Sequence, residues 1–226
     1  MPVLKQAKYF ADAFQGFISL EKQGHDDKLQ YRLGGMLLNG IGTEKNEQQA
    51  RNYFEKAASV GNSFAAYRLG KLYLGGEGIL KDIYKVLHWL GIAAGQKNQY
   101  AEYALGCLYL KGEDIPKDAA KAISYLQNAA AQSNEFAEYR LGKIYLVGDG
   151  VPKDIEAAIK YLTASAEKGN QYAQYTLGKL YLMGKDVHRN KEEAVRWFTL
   201  SAAEGNIYAQ FFLDHMDEFR EPSVML

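Results

Sequence analysis

The chain's stock of nucleophiles and metal ligands is four histidines, one cysteine and 27 carboxylates, and their spacing decides what they can do. His25, His88, His188 and His215 are scattered, with no pair of the H-E-x-x-H kind that sets two imidazoles on one helical face for zinc. Cys107 is alone, which excludes an internal disulfide or a two-cysteine redox motif and fits a reducing compartment. A nucleophilic thiolate would need a neighbouring base that the sequence does not place there. No G-x-S-x-G elbow, phosphate-binding loop or dinucleotide fingerprint is present. Turn geometry accounts for the glycines of GGEG and GDG, and Glu77, Glu113, Asp114 and Asp149 read as solvated loop charge rather than a cation site. The expectation is no catalytic centre, no metal site and no cofactor.

Aromatic and lysine chemistry does recur. Phe64, Tyr100, Phe136, Tyr172 and Tyr208 form one column at a step of 36 residues, Tyr67, Tyr103, Tyr139 and Tyr175 a second, and Lys71, Lys143 and Lys179 a third. Offsets of three and four between the columns put them on one helical stripe, which carries no carboxylate. Tyrosine supplies a rigid surface with a hydroxyl, and lysine selects against cationic partners. The implied ligand is a protein or peptide with aromatic or aliphatic anchors and acidic residues. The Tyr67 and Tyr73 columns read mainly as packing between units, whereas for the Phe64 and Lys71 columns exposure and burial are both open. Arg32, Arg68 and Arg140 share a neighbouring column, and Arg68 is placed to pair with Glu102.

The elements that position this stripe follow from the same period. Leu-Gly stands at Leu33-Gly34, Leu69-Gly70, Leu105-Gly106, Leu141-Gly142 and Leu177-Gly178, each 36 residues from the next. Each unit reads as two helices. The first follows Asn62, Asn98, Asn134, Asn170 or Asn206, whose side chains can cap an unpaired amide, and it ends near Gly76, Gly112, Gly148 or Gly184. The second starts at Asp82, Asp118, Asp154 or Asn190 and carries apolar residues at helical offsets, as in Ala158, Tyr161, Leu162, Ser165 and Ala166. A glycine inside a helix costs about 1 kcal/mol relative to alanine, so five of them imply an offsetting close approach between helices. On that reading, Gly106→Leu loosens the third unit.

The predicted fold is all-α, an α/α superhelix or solenoid of 36-residue helix-turn-helix repeats in one continuous domain, 1–226. Residues 4–22 form an N-terminal half-repeat helix and 27–206 five full repeats, at 27–62, 63–98, 99–134, 135–170 and 171–206. Residues 207–219 form a C-terminal half-repeat helix, and 220–226 a tail. Balanced charge, 27 basic against 27 acidic residues, removes the broad attraction by which nucleic-acid binders recruit phosphate. No apolar run approaches the roughly 20 residues of a membrane-spanning helix, and the start lacks the core of a secretory signal. A cytoplasmic monomer is expected.

Units such as YAQYTLGKLYLMGKDVHRNKEEAVRWFTLSAAEGN resemble Sel-1-like repeats, relatives of tetratricopeptide repeats, in the Leu-Gly, the following Tyr, the loop glycines, the Lys-Asp before the second helix and the closing Ala-Ala. The resemblance implies a non-enzymatic scaffold or adaptor binding a protein or peptide, with the first helices lining a concave face. Similar arrays are also appended to bacterial enzymes, including relaxases that mobilise conjugative DNA, so an accessory module is the alternative. Cysteine-rich relatives, proposed to bind penicillin, carry disulfides whose cysteines are absent here, which makes β-lactam binding or hydrolysis the weakest reading. Repeat 2 departs from the family with Val86 in an alanine column.

Overall fold

The computed structural model describes residues 2–24, 26–75, 80–216 and 218–219. His25, the loop residues Gly76 and Glu77, and the tail 220–226 lie outside the described residues. Twelve helices and no strand are found among the described residues, which is the all-α helix-turn-helix array that the period predicts. They fall into two compact units, Met1–Pro116 and Lys117–Leu226.

The first unit holds α1 (Pro2–Glu21), α2 (Asp27–Asn39), α3 (Glu47–Ser59), α4 (Ser63–Gly75), α5 (Ile83–Gly95) and α6 (Gln99–Lys111). The second holds α7 (Ala119–Ala131), α8 (Glu135–Val147), α9 (Ile155–Glu167), α10 (Gln171–Met183), α11 (Lys191–Ala203) and α12 (Ile207–Asp214). In the first unit α2, α4 and α6 are the first helices of their repeats; in the second, α8, α10 and α12 are. Consecutive helices pack on one another within each unit.

The helix starts lie where short polar side chains satisfy amides that have no intrahelical partner. Tyr172 and Ala173 donate their N–H groups to Asn170 Oδ1 at 3.1 and 3.0 Å. Asn98, Asn134 and Asn206 do the same for α6, α8 and α12, and Asp82, Asp118, Asp154 and Asn190 for the helices that follow them. α6, α8 and α10 end on Gly112, Gly148 and Gly184, all in the left-handed region that glycine enters without strain. α12 is shorter than the 207–219 expected. Asp214, which stands at the register of the helical glycines, is its last residue, and Met216 and Phe219 then pack against the cluster around Phe198.

The helical glycines receive a side chain from 20 residues further on. A Cβ on Gly142 would stand 2.6 Å from Leu162 Cγ, and one on Gly178 2.7 Å from Phe198 Cδ1. Gly34 faces Phe54 and Gly70 faces Leu90 with the same crowding. All four of these partners are fully buried. The core along these four hairpins is therefore a bulky residue of the second helix seated in a gap that only glycine leaves on the first. In repeat 2, Val86 is as completely buried as the alanines at the equivalent positions of the other repeats.

The loop acids are not merely solvated, as their sequence context suggests. Lys81 pairs with Asp114 at 2.5 Å, Lys117 with Asp149 at 2.9 Å and Lys153 with Asp186 at 2.5 Å, each pair joining the loops of successive repeats. These pairs are largely exposed, so each is worth under about 1 kcal/mol. They fix loop register more than they stabilise the fold.

The packing distinguishes one glycine from another. Gly142→Ala is expected to destabilise the second unit by about 1–3 kcal/mol despite alanine's better helix propensity, because the added methyl meets Leu162. Gly91 lies in α5, and a methyl placed on it would meet nothing within 4 Å, so Gly91→Ala should stabilise by up to about 1 kcal/mol. Denaturant titration of the two variants reads both signs. A Gly142→Ala protein as stable as the parent would remove the close-packing account.

Candidate functional site

The aromatic stripe lies on first helices, beside the faces that bury Leu-Gly. In the first unit Phe64 and Tyr100 are 50% and 44% exposed, and their ring centroids are 6.3 Å apart. Tyr31 extends this row, 6.3 Å from Phe64, and Tyr67 lies 5.8 Å from Tyr100. Tyr67 and Tyr103 are half-buried, while Lys71 is exposed. In the second unit Phe136, Tyr172 and Tyr208 are 48%, 56% and 65% exposed. Tyr139 stands 6.2 Å from Tyr172 and Tyr175 6.3 Å from Tyr208, with Tyr139 and Tyr175 half-buried.

Exposure thus decides the Phe64 column, which the sequence left open, and sets it apart from the Tyr67 column, which reads in the sequence mainly as packing. The Phe64 column stands in solvent, and the Tyr67 column forms its floor, leaning on the core. Tyr175 shows how: its ring is 6.0 Å from buried Phe198 on one side and close to exposed Tyr208 on the other. Burial, and then Tyr208, push the Tyr175 phenol above its ordinary value. Burial is also the main cause raising Tyr67. Both hydroxyls therefore stay protonated and able to donate at neutral pH.

Lys143 and Lys179 are exposed beside these rings. The Lys179 ammonium sits 5.7 Å from the Tyr175 centroid, a cation–π contact. His215, at the register of the lysines, stacks on Phe211 at 4.2 Å. Cys107, in the same column, is half-buried. The guanidinium of Arg68 lies 5.9 Å from the Phe54 ring centroid, a contact that the expected pairing with Glu102 does not anticipate.

One part of this surface is a cleft. About 390 Å³ of open space in the second unit is lined by Tyr139, Lys143, Gln171, Tyr172, Tyr175, Thr176, Tyr208 and the chain from Gly205 to Ile207. Sequence reasoning passed over Thr176, although a signal was there. Arg32, Arg68 and Arg140 occupy its column in three other repeats and Ala104 in the fourth, and the threonine is a short side chain that hydrogen-bonds back to the Tyr172 carbonyl at 2.7 Å. Gly205 to Ile207 reads in the sequence only as a helix start, and it forms the opposite wall.

Chemically, the stripe offers aromatic faces, phenolic donors and ammonium groups. No group of three or more His, Cys, Asp or Glu side chains suited to a metal ion occurs among the described residues. No helix of the described residues is long and apolar enough to cross a membrane.

The sequence matches the Sel1 repeat over residues 28–62, 63–98, 99–134, 136–170 and 171–206. No curated protein matches it. Among solved structures, c5321, a protective antigen present in uropathogenic Escherichia coli strains and displaying an SLR fold, superposes with a TM-score of 0.80 at 29% identity, over 92% of this chain and 44% of that one. The chain thus spans less than half the length of that antigen. A Sel1 repeat protein from Oxalobacter formigenes superposes with a TM-score of 0.79 at 30% identity, over 91% of this chain and 86% of that one. Immunity protein Pa5087 from Pseudomonas aeruginosa shares the fold alone, with a TM-score of 0.56 at 20% identity, over 86% of this chain and 74% of that one. Five matched repeats fill most of the sequence and coincide with the helix pairs seen in the structure: the chain belongs to the Sel1 repeat family.

Proposed function

We propose that this protein is a non-enzymatic scaffold that binds a protein or peptide on the exposed face of its first helices. Sel1 repeat proteins are generally protein-interaction scaffolds. The observation that carries the reading here is the solvent exposure of Phe64, Tyr100, Phe136, Tyr172 and Tyr208, five large rings at one position of successive first helices. Single exposed apolar residues are ordinary, but a row of aromatics in register within each unit is the surface expected of an interaction site. Their neighbours supply the polarity. Lys71, Lys143 and Lys179 are exposed, and the stripe has no carboxylate, so partners with aromatic or aliphatic anchors and acidic residues are favoured.

The mechanism is preorganisation. The rings are held by helices whose caps and glycine gaps are already satisfied in the free protein, so little ordering entropy is lost when a partner docks. Tyrosine adds contact area with few rotatable bonds and a donor at its tip.

Replacing Phe64, Tyr100, Phe136, Tyr172 and Tyr208 together by alanine should leave the helical circular-dichroism signal intact, because these side chains project from the packed faces. The same variant should retain less than a tenth of the proteins that the parent captures from its host lysate, as quantified by mass spectrometry. Loss of the fold would make the rings packing residues, and undiminished capture would move the site elsewhere.

A further inference from the structure

The cleft of the second unit has a chemistry more specific than the rest of the stripe. Its walls are the rings of Tyr139, Tyr172, Tyr175 and Tyr208, and its two remaining side chains of note are Lys143 and Thr176. At about 390 Å³ it lies near the small end of the range of about 300–1,000 Å³ in which compact ligand groups are held. It is open to solvent rather than enclosed, so an extended segment can run across it while one side chain points in.

Its electrostatics have one sign. No carboxylate lines it among the described residues, and the N-termini of α10 and α12 both open onto it through Gln171 and Tyr172 and through Asn206 and Ile207. Helix N-termini carry partial positive charge. Of the two lysines in this part of the stripe, Lys179 already faces the Tyr175 ring, whereas Lys143 is exposed at the cleft and has no ion-pair partner among the described residues.

We propose that this cleft seats one aromatic or aliphatic side chain of an extended partner segment, and that an aspartate or glutamate adjacent to that anchor places its carboxylate on Lys143. This rests on the reading of the first-helix face given above and adds to it a location, an occupant and a charge. The anchor rests against four rings, and the carboxylate meets the lysine that lines the cleft. Thr176 makes the site possible at this repeat, because an arginine in its place would reach into the space the anchor needs.

The test pans a phage-displayed random dodecapeptide library against the immobilised full chain. Peptides recovered are synthesised, and their affinities measured by fluorescence anisotropy against the parent, Lys143→Glu and Lys160→Glu. Lys160 is an exposed lysine of α9 outside the cleft and serves as the matched charge control. The expected result is enrichment of Asp or Glu next to Phe, Tyr, Trp, Leu or Ile. Affinity should fall at least tenfold with Lys143→Glu, fall similarly when the peptide's acid is replaced by its amide, and stay unchanged with Lys160→Glu. Peptides that lose binding to the five-ring alanine variant but ignore both Lys143→Glu and the amide replacement would overturn this assignment while leaving the wider face intact. A library that yields nothing above bare matrix, or only peptides indifferent to the ring substitutions, would overturn both.

Discussion

Four of the hairpins depend on a missing atom. The first helix omits a Cβ at the Leu-Gly site so that a bulky residue of the second helix, Phe54, Leu90, Leu162 or Phe198, can sit against its backbone. Interiors are packed as densely as organic crystals, so a gap of this size cannot be shared with a methyl group, and the two helices are held at one separation. That separation sets where everything else points. With glycine on the inner side, the aromatic columns six and three residues before it are turned outward or onto the rim of the core.

The division of labour within a repeat follows. Caps, glycines and the alanines of the second helix serve the fold and are buried or hydrogen-bonded. The rings of the Tyr67 column bridge core and surface, which explains why burial raises Tyr67 and Tyr175 while their edges still meet exposed neighbours. The Phe64 column and the lysines have no such duty to the interior. Sequence variation at those positions can alter the exposed surface without disturbing the hairpin.

Most of the architecture was readable because it repeats. Asn98, Asn134, Asn170 and Asn206 cap helices as their positions predict, and the cost of a helical glycine correctly demanded a close neighbour. What escaped the sequence involved partners far along the chain or features that break the period. The lysine that pairs with a loop acid stands 32 or 33 residues before it, and the acid shifts by one position between loops, so no fixed column announces the pair. Arg68 meets the Phe54 ring across a repeat boundary, a contact between residues of different columns that charge pairing alone does not suggest. The stripe itself was legible, and so was the packing role of the Tyr67 column, but the exposure of the Phe64 column was not, because helical spacing places both columns on one side. The cleft was hidden for the opposite reason: it is lined by Thr176, which breaks a column that is arginine at 32, 68 and 140.

The lysine–aspartate rungs between loops have an evolutionary consequence. Each rung takes its cation from one repeat and its anion from the following one, and the pairing survives a one-residue shift in where the acid stands. A recombination event that duplicates or excises 36 codons in frame among the repeats that carry these rungs therefore leaves a lysine facing an acid at the new junction. Genes built this way can change the number of their modules without first repairing the seams, so their length is free to drift while each seam stays sound.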